Sequence, residues 1–342
     1  MKDLSIIIPV FNEDNFLNRL FINLIKYFDN ENTEVIFIND GSTDNSKNII
    51  EKFIKDKAKK FEVKLLSFEK NQGKGKAVRE GMKLATGNYL LLQDADLELD
   101  IKDSRELYDI IQSDDEIKCI FGSRYLSGKL KKNNYFFNQF VAKFNSVIFN
   151  LLFAQSLSDI HCGLKILHKD VVKKIKLKVD DFGLEIDIAS QIVRNNFYIY
   201  EYGVSYYFRT KQQGKKITWI DGVKSYYYLF KTRFLDNEIS TNFSILYSAL
   251  FMGYVGSYFG LGNGKTLFII LFFMIGLFIG IKNKILSASI IFLFIYIGSF
   301  FGKGQGKVLA VLIFFIIGIY LSSKLSKKIN INYKNTILKY LF

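Results

Sequence analysis

Between residues 5 and 121 the chain repeats one unit, a short apolar run followed by a stretch with helical spacing. The runs are 5–10 (SIIIPV), 34–39 (EVIFIN), 63–68, 89–93 and 117–121; the helical stretches are 16–28, 46–59, 76–85 and 104–112. Runs that are apolar nearly throughout suit strands covered on both faces, as in a parallel sheet. Parallel strands need a crossover between them, usually a helix. The alternation therefore predicts a doubly wound α/β domain with a mostly parallel sheet. Such sheets bind ligands outside the carboxyl ends of their strands. Asn12-Glu13, Asn39-Asp40 and Asp94-Ala95-Asp96 all fall at those ends and present acidic or amide groups to one crevice.

The strand end at residues 90–100, LLLQDADLELD, carries the most chemistry. Side chains alternate along an extended segment, so Asp94, Asp96 and Glu98 are expected on one side. Three carboxylates together repel unless something positive sits among them. A hard divalent cation with oxygen ligands fits, and such an ion also binds substrate phosphates. The expectation is a Mg²⁺ or Mn²⁺ site in an enzyme that handles a nucleotide diphosphate. An acidic surface turn is the bland alternative.

A formal charge of +14 over 342 residues invites either nucleic acid or an anionic membrane surface as partner. The second half of the chain favours the membrane. After Asn237 come four apolar stretches, 243–261, 266–281, 285–301 and 308–321, separated by short loops. Residues 267–281 contain no polar side chain and are apolar all round. The tail carries Lys324, Lys327, Lys328, Lys334 and Lys339, which favours a cytoplasmic C-terminus. No export signal precedes residue 5, so residues 1–237 are expected in the cytoplasm, and residues 238–342 as four membrane helices with a basic tail. Nucleic acid is not expected as a partner. Gly253, Gly256 and Gly260 permit close helix packing and thus self-association. Two further segments, 135–153 and 217–234, place aromatic and aliphatic residues at helical spacing beside lysines and arginines. That pattern suits the membrane interface, or else packing on the protein core. Cys119 and Cys162 fit reduced, buried thiols better than a disulfide.

The motifs Pro9-Val10-Phe11-Asn12-Glu13, Asn39-Asp40-Gly41-Ser42-Thr43-Asp44, Asn71-Gln72-Gly73-Lys74-Gly75 and Asp94-Ala95-Asp96 occur in that order. The ordered set resembles family 2 glycosyltransferases of the GT-A fold. Phe121-Gly122-Ser123-Arg124-Tyr125 and the run Asp159-Ile160-His161-Cys162-Gly163-Leu164-Lys165 look like the polyprenyl-phosphate branch of that family. That branch includes dolichyl-phosphate mannose and glucose synthases and bacterial undecaprenyl-phosphate relatives. The resemblance covers roughly residues 3–235.

The resemblance implies a division of labour. Pro9, Glu13, Asp40, Asp44, Lys74, Asp94 and Ala95 would hold the nucleotide of a UDP- or GDP-hexose, Asp44 having helix capping as an equal alternative. Asn39 departs from the Asp of many relatives. Asp94 and Asp96 would be catalytic and, with Glu98, ligate the metal at the leaving diphosphate. Arg79 would reach the crevice or lie on its helix surface. Arg124, Arg209 and Lys216 would bind the phosphate of a polyprenyl acceptor, with Arg124 catalytic. A lipid monophosphate is already an anion and needs no general base, so attack would be a single inverting displacement assisted by positioning and charge. Asp159, Glu185 and Asp187 are then expected in structural or sugar-contacting roles. A lipid hydroxyl acceptor such as diacylglycerol would instead require a base, for which Asp187 is the candidate. A processive polysaccharide synthase is disfavoured, because Thr218-Trp219-Ile220 lacks the QxxRW pattern. A non-catalytic membrane scaffold would not need the carboxylate cluster.

Overall fold

The structure is a computed structural model that describes residues 2–56, 59–126, 128, 131–132, 136–209 and 219–235. The chain divides into two units, Met1–Thr232 and Arg233–Phe342. The four apolar stretches beyond residue 237, the basic tail and Lys216 lie outside the described residues. Among the described residues no helix is long and apolar enough to cross a membrane.

The first half follows the expected rhythm: β1 (Leu4–Val10), α1 (Asp14–Phe28), β2 (Thr33–Asn39), α2 (Ser46–Lys55), β3 (Glu62–Ser67), α3 (Lys74–Leu84), β4 (Tyr89–Leu92), α4 (Ile101–Ser113) and β5 (Cys119–Ser123). Then come β6 (Lys131–Lys132), α5 (Phe136–Phe153), β7 (Lys165–His168), α6 (Lys169–Lys174), α7 (Leu184–Arg194), β8 (Tyr200–Gly203), β9 (Tyr206–Tyr207) and α8 (Trp219–Phe230). A π-helical turn, Lys231–Leu235, continues α8. Seven strands form one sheet in the order β3-β2-β1-β4-β7-β5-β8, and β6 pairs with β9 apart from it.

Both faces of this sheet are covered, which is why its strands read as apolar runs. In β2, Val35 and Phe37 join a cluster with Leu17, Leu20, Phe21 and Phe53, and Ile36 and Ile38 join Ala77 on the other side. Phe21 stacks on Phe53 at 3.9 Å between ring centroids. Pro9 sits in this central strand without breaking it. The Val10 carbonyl points to β2, accepting from Asp40 N, so the Pro9 nitrogen faces the β4 side. The rungs to β4 stop at Ile7 and Leu92, leaving no ladder hydrogen bond for Pro9 to forfeit.

One strand departs from the sequence reading. The sheet does not run directly from β4 to β5; β7 lies between them, antiparallel to both. Its first residue, Lys165, ends the 159–165 motif read for chemistry. The inserted strand brings the loop before it, residues 159–164, to the end of β4 where Asp94 lies.

The turn into α3 is held from two sides. The Asp40 carboxylate accepts from Asn71 Nδ2 and from the backbone N–H of Gln72 and Gly73, at 2.9, 2.6 and 3.0 Å. Gly73 has φ +95°, and a Cβ there would lie 2.3 Å from the Asp180 carbonyl oxygen. Left-handed strain alone is worth about 1–3 kcal/mol, and a backbone contact cannot be relieved by turning a side chain. Gly73→Ala is expected to destabilise the protein by at least that amount, read as a fall in the denaturant midpoint at unchanged slope.

Candidate active site

The ends of β1, β2 and β4 bring Glu13, Asp40, Asp94 and Asp96 to one crevice, as the parallel order requires. Their partners assign them different work. Asp40 is buried, and both its oxygens hold the 71–73 turn described above. It shapes the donor side through that turn. Asp44 accepts from Ser46 N and Asp14 N at 2.9 and 3.1 Å, tying together the starts of α2 and α1. Of its two expected roles, capping is the one its oxygens fill. Ala95 is 3% exposed and packs in the main core. Arg79 bonds the Val179 carbonyl at 3.2 Å and pairs with Asp180, which makes it a brace for the 179–180 segment.

Arg209 is expected from the resemblance at the acceptor phosphate; its guanidinium lies in the acidic cluster. It reaches Glu13 at 2.9 Å, Asp96 at 2.7 Å and Glu98 at 3.6 Å. Its charge also stands over the Phe16 ring, 5.0 Å from the centroid. The side-chain alternation assumed for Asp94, Asp96 and Glu98 fails for a local reason. The sheet ends at Leu92, and Leu97 takes a left-handed φ of 54°. The Asp96 side chain then accepts from Glu98 N at 3.0 Å, closing a tight turn. Glu98 swings away to accept from Tyr206 Oη and Arg209 N, at 3.1 and 3.0 Å. No three carboxylates, histidines or cysteines converge as a metal site among the described residues. Glu98 here bonds Tyr206 and Arg209 and stands apart from Asp94.

Asp94 and Asp96 still suit a divalent cation. Burial, then the neighbouring Asp94 charge, raises the Asp96 carboxyl to about 7 despite Arg209. An added cation would relieve that repulsion. Mg²⁺ is commonly held by one or two carboxylates with substrate phosphates completing the shell.

Asp94 faces a second cation, Lys74, whose Nζ lies 2.7 Å from Oδ1. Lys74 is the second residue of the glycine turn and starts α3. The first N–H groups of that helix are already occupied, with Gly75 N donating to the Asp180 carbonyl at 2.7 Å. A diphosphate here would meet the Lys74 side chain and not the helix end. Lys74 also bonds Glu185 on α7 at 3.1 Å, and Glu185 pairs in turn with Lys165 on β7. Burial alone would lower the Lys74 pKa; Asp94 and Glu185 outweigh it and hold the ammonium well above its ordinary value. Close approach of Asp94 depends on Gly163, where a Cβ would stand 2.1 Å from Asp94 Oδ2. Gly163 and Lys165 belong to the 159–165 motif read in the sequence, but neither has a role assigned there. The available signal was a lysine inside the apolar run GLKIL, since a buried cation requires a partner.

On the far side, Arg124 follows β5 and is gripped by fully buried Asp159. Nε and Nη2 donate at 2.7 and 2.8 Å, a bidentate pair. Burial would raise the Asp159 carboxyl, but Arg124 overcomes this and holds it below the usual carboxylate range. The guanidinium stands over Tyr206, 5.2 Å from its centroid, and Tyr206 bonds Glu98. Arg124 and the acidic cluster thus meet through one tyrosine. Asp187 is not positioned as a base. It accepts from Lys178 N, Val179 N and Gln191 Nε2 at 2.6, 3.1 and 2.7 Å. His161 is partly buried and pairs with Asn145 on α5 at 3.1 Å. Burial lowers its pKa to about 4, so the ring is neutral at physiological pH. Both cysteines are free and buried, and burial pushes their thiols up to about 12.

The α5 helix buries Asn145, Ser146, Phe149 and Phe153 and exposes the other side. Phe136, Phe140, Phe144, Val147 and Leu151 form that side, at 84, 53, 44, 51 and 73% exposure. The interval of three or four residues makes them one stripe. The helix has an outward apolar stripe with exposed Lys143 beside it, and buries Asn145 and Ser146 together with Phe149 and Phe153.

Glycosyl transferase family 2 is matched over residues 5–176, half of the chain, spanning β1 to the end of α6. The chain belongs to that family and is a glycosyltransferase. It is 26% identical over 227 residues to a dolichyl-phosphate beta-glucosyltransferase of Dictyostelium discoideum, covering 63% of this chain and 68% of the relative. The Saccharomyces cerevisiae enzyme of the same description is 27% identical, covering 60% and 66%. A dolichol-phosphate mannosyltransferase of Pyrococcus furiosus is 26% identical, covering 62% and 60%. Among solved structures, glucosyl-3-phosphoglycerate synthase from Mycobacterium tuberculosis superposes with a TM-score of 0.52 at 12% identity, covering 68% of this chain and 80% of that one. At that identity the likeness shows the GT-A-like fold. A further structure of that synthase holds Mn²⁺, uridine-diphosphate and product.

Two outcomes follow from the geometry. In Gly163→Ala the new methyl displaces the Asp94 carboxylate from Lys74. Because a side-chain end moves, the melting temperature should change little, and transfer activity should fall at least about tenfold, as misplaced catalytic groups do. For His161, an unfolded value near 6.5 and a folded value of about 4 mean that the unfolded chain binds the extra proton between them. The stability this adds is full above about pH 6.5 and is lost as pH falls toward 4. Denaturation at pH 7.5 and pH 5 should show His161→Gln losing less stability on acidification than the wild type.

Proposed function

We propose that this glycosyltransferase moves a hexose from a UDP- or GDP-linked donor to a polyprenyl phosphate, such as dolichyl or undecaprenyl phosphate, with inversion at the anomeric carbon. The observation that carries this reading is the state of the acceptor-side carboxylates. Asp159 is locked on Arg124, Glu185 lies between two lysines, and Asp187 is spent on backbone amides. A hydroxyl acceptor needs one of them as base. A phosphate monoester arrives as an anion and needs a cation to steer it, which Arg124 supplies. The dolichyl-phosphate transferases among the relatives agree with such an acceptor.

In this reading Lys74 meets the donor diphosphate, and Asp94 and Asp96 hold Mg²⁺ or Mn²⁺, which would neutralise the leaving nucleotide. Arg209 stands in the donor cluster and balances Glu13 and Asp96. The phosphate oxygen attacks directly, so the rate rests on alignment and charge. We place the catalytic unit, residues 1–237, on the cytoplasmic face of the membrane. The exposed stripe of α5 beside exposed Lys143 supports a lipid surface. So do the four apolar stretches of residues 238–342, read as membrane helices.

Purified protein with Mn²⁺ and a panel of UDP- and GDP-hexoses should glycosylate dolichyl or undecaprenyl phosphate. Asp96→Asn should lower the rate by roughly 100-fold or more, the scale of a lost electrostatic group in an active site. Transfer to diacylglycerol with none to either lipid phosphate would overturn the acceptor assignment.

A further inference from the structure

Lys165 is fully buried, in the middle of the sheet, and makes no contact that the transfer described above requires. Its ammonium is bonded to Glu185 and to the Cys162 carbonyl. Glu185 spans two lysines, with Oε2 on Lys165 and Oε1 on Lys74. Lys74 spans two carboxylates, Glu185 and Asp94. The four groups form a single row, Asp94–Lys74–Glu185–Lys165, drawn from β4, α3, α7 and β7. Its far end is inside the protein and its near end opens on the crevice, where the Asp94 side chain is 26% exposed.

The row has a consequence for charge. Were Glu185 paired with Lys74 alone, the two would cancel, and the crevice would offer an anionic ligand no net positive charge from this side. Lys165 cancels Glu185 instead, so that once a divalent cation engages Asp94 the charge of Lys74 is left for a ligand. We propose that Lys165 is a positioning residue for donor binding: by neutralising Glu185 from inside the sheet, it keeps Lys74 available to the diphosphate of the nucleotide sugar. The inference rests on the donor reading given above. Burial gives the effect its strength, since charges out of water interact far more strongly than exposed ones. It also explains why an internal strand carries a lysine, which burial disfavours unless the ion is paired.

A purely structural ion pair and a charge-balancing one make different forecasts for nucleotide binding by Lys165→Met, and the double variant tests whether charge is the cause. Lys165→Met leaves Glu185 on Lys74 alone. Affinity for UDP or GDP with Mg²⁺, measured by calorimetry on the full chain, should fall at least tenfold. Lys165→Met/Glu185→Met removes both partners, returns the charge of Lys74, and should bind within about threefold of the wild type. Replacing a buried pair by apolar side chains of similar volume is often neutral for stability, so the double variant is informative even if Lys165→Met alone does not fold. Lys165→Arg keeps the charge and should bind nearly as the wild type does. Undiminished binding in a folded Lys165→Met, or a double variant that folds and binds no better than Lys165→Met, would overturn the inference while leaving the donor reading intact. A wild type that binds neither nucleotide would overturn both.

Discussion

The acidic groups of this crevice are each held by partners brought to them by the fold, cations for most and amides for Asp40, and the site is built around that constraint. Glu13 and Asp96 share Arg209, Asp94 has Lys74, Glu185 has Lys74 and Lys165, and Asp159 has Arg124. The pairings of Arg209 with Glu13 and Asp96, and of Lys74 with Glu185, also fasten late segments to early ones. Arg209 alone joins the end of β1, the turn after β4 and the strand β9 region. Removing one partner of such a pair would strand a buried charge, which destabilises far more than the pair itself stabilises.

The arrangement also divides the crevice by task. The Asp94 and Asp96 side holds negative charge that a divalent ion and a diphosphate would complete, with Lys74 next to it. The Arg124 side offers a cation rigidly aimed by a buried carboxylate. Tyr206 links the two, bonded to Glu98 and lying under the Arg124 guanidinium. A donor leaving group and an anionic acceptor fit these two sides. The helix that exposes five apolar residues, α5, also buries Asn145 and Ser146, which bond His161 and Ile160 N in the loop carrying Asp159. The apolar face and the acceptor cation are thus two ends of one packed segment.

Some of the site was legible residue by residue. Glu13, Asp40, Asp94 and Asp96 were found because strand periodicity and the parallel-sheet rule place strand ends together. Arg124 was found through motif order. The partners of Asp44 and Arg79 were not legible: Asp44 accepts from Ser46 N and Asp14 N, and Arg79 braces the 179–180 segment. Alternation holds only while the chain is extended, and Leu97 turns it, which parts Glu98 from Asp94 and Asp96. Arg209 is read as a functional cation from the sequence, and only the fold shows its guanidinium among Glu13, Asp96 and Glu98.

The sequence by itself determined the layered α/β architecture, the strand ends that carry acid groups, and the glycosyltransferase family. Those follow from patterns two to four residues long and from motifs read in order. Tertiary structure decided which cation meets which carboxylate. Arg209 lies 113 residues from Asp96 and 196 from Glu13, and Lys74 lies 111 from Glu185. No local period reaches across such distances. The insertion of β7 between β4 and β5 settles the matter physically, because it carries Gly163 and Lys165 to the end of β4 and so completes the row of charges that faces the crevice.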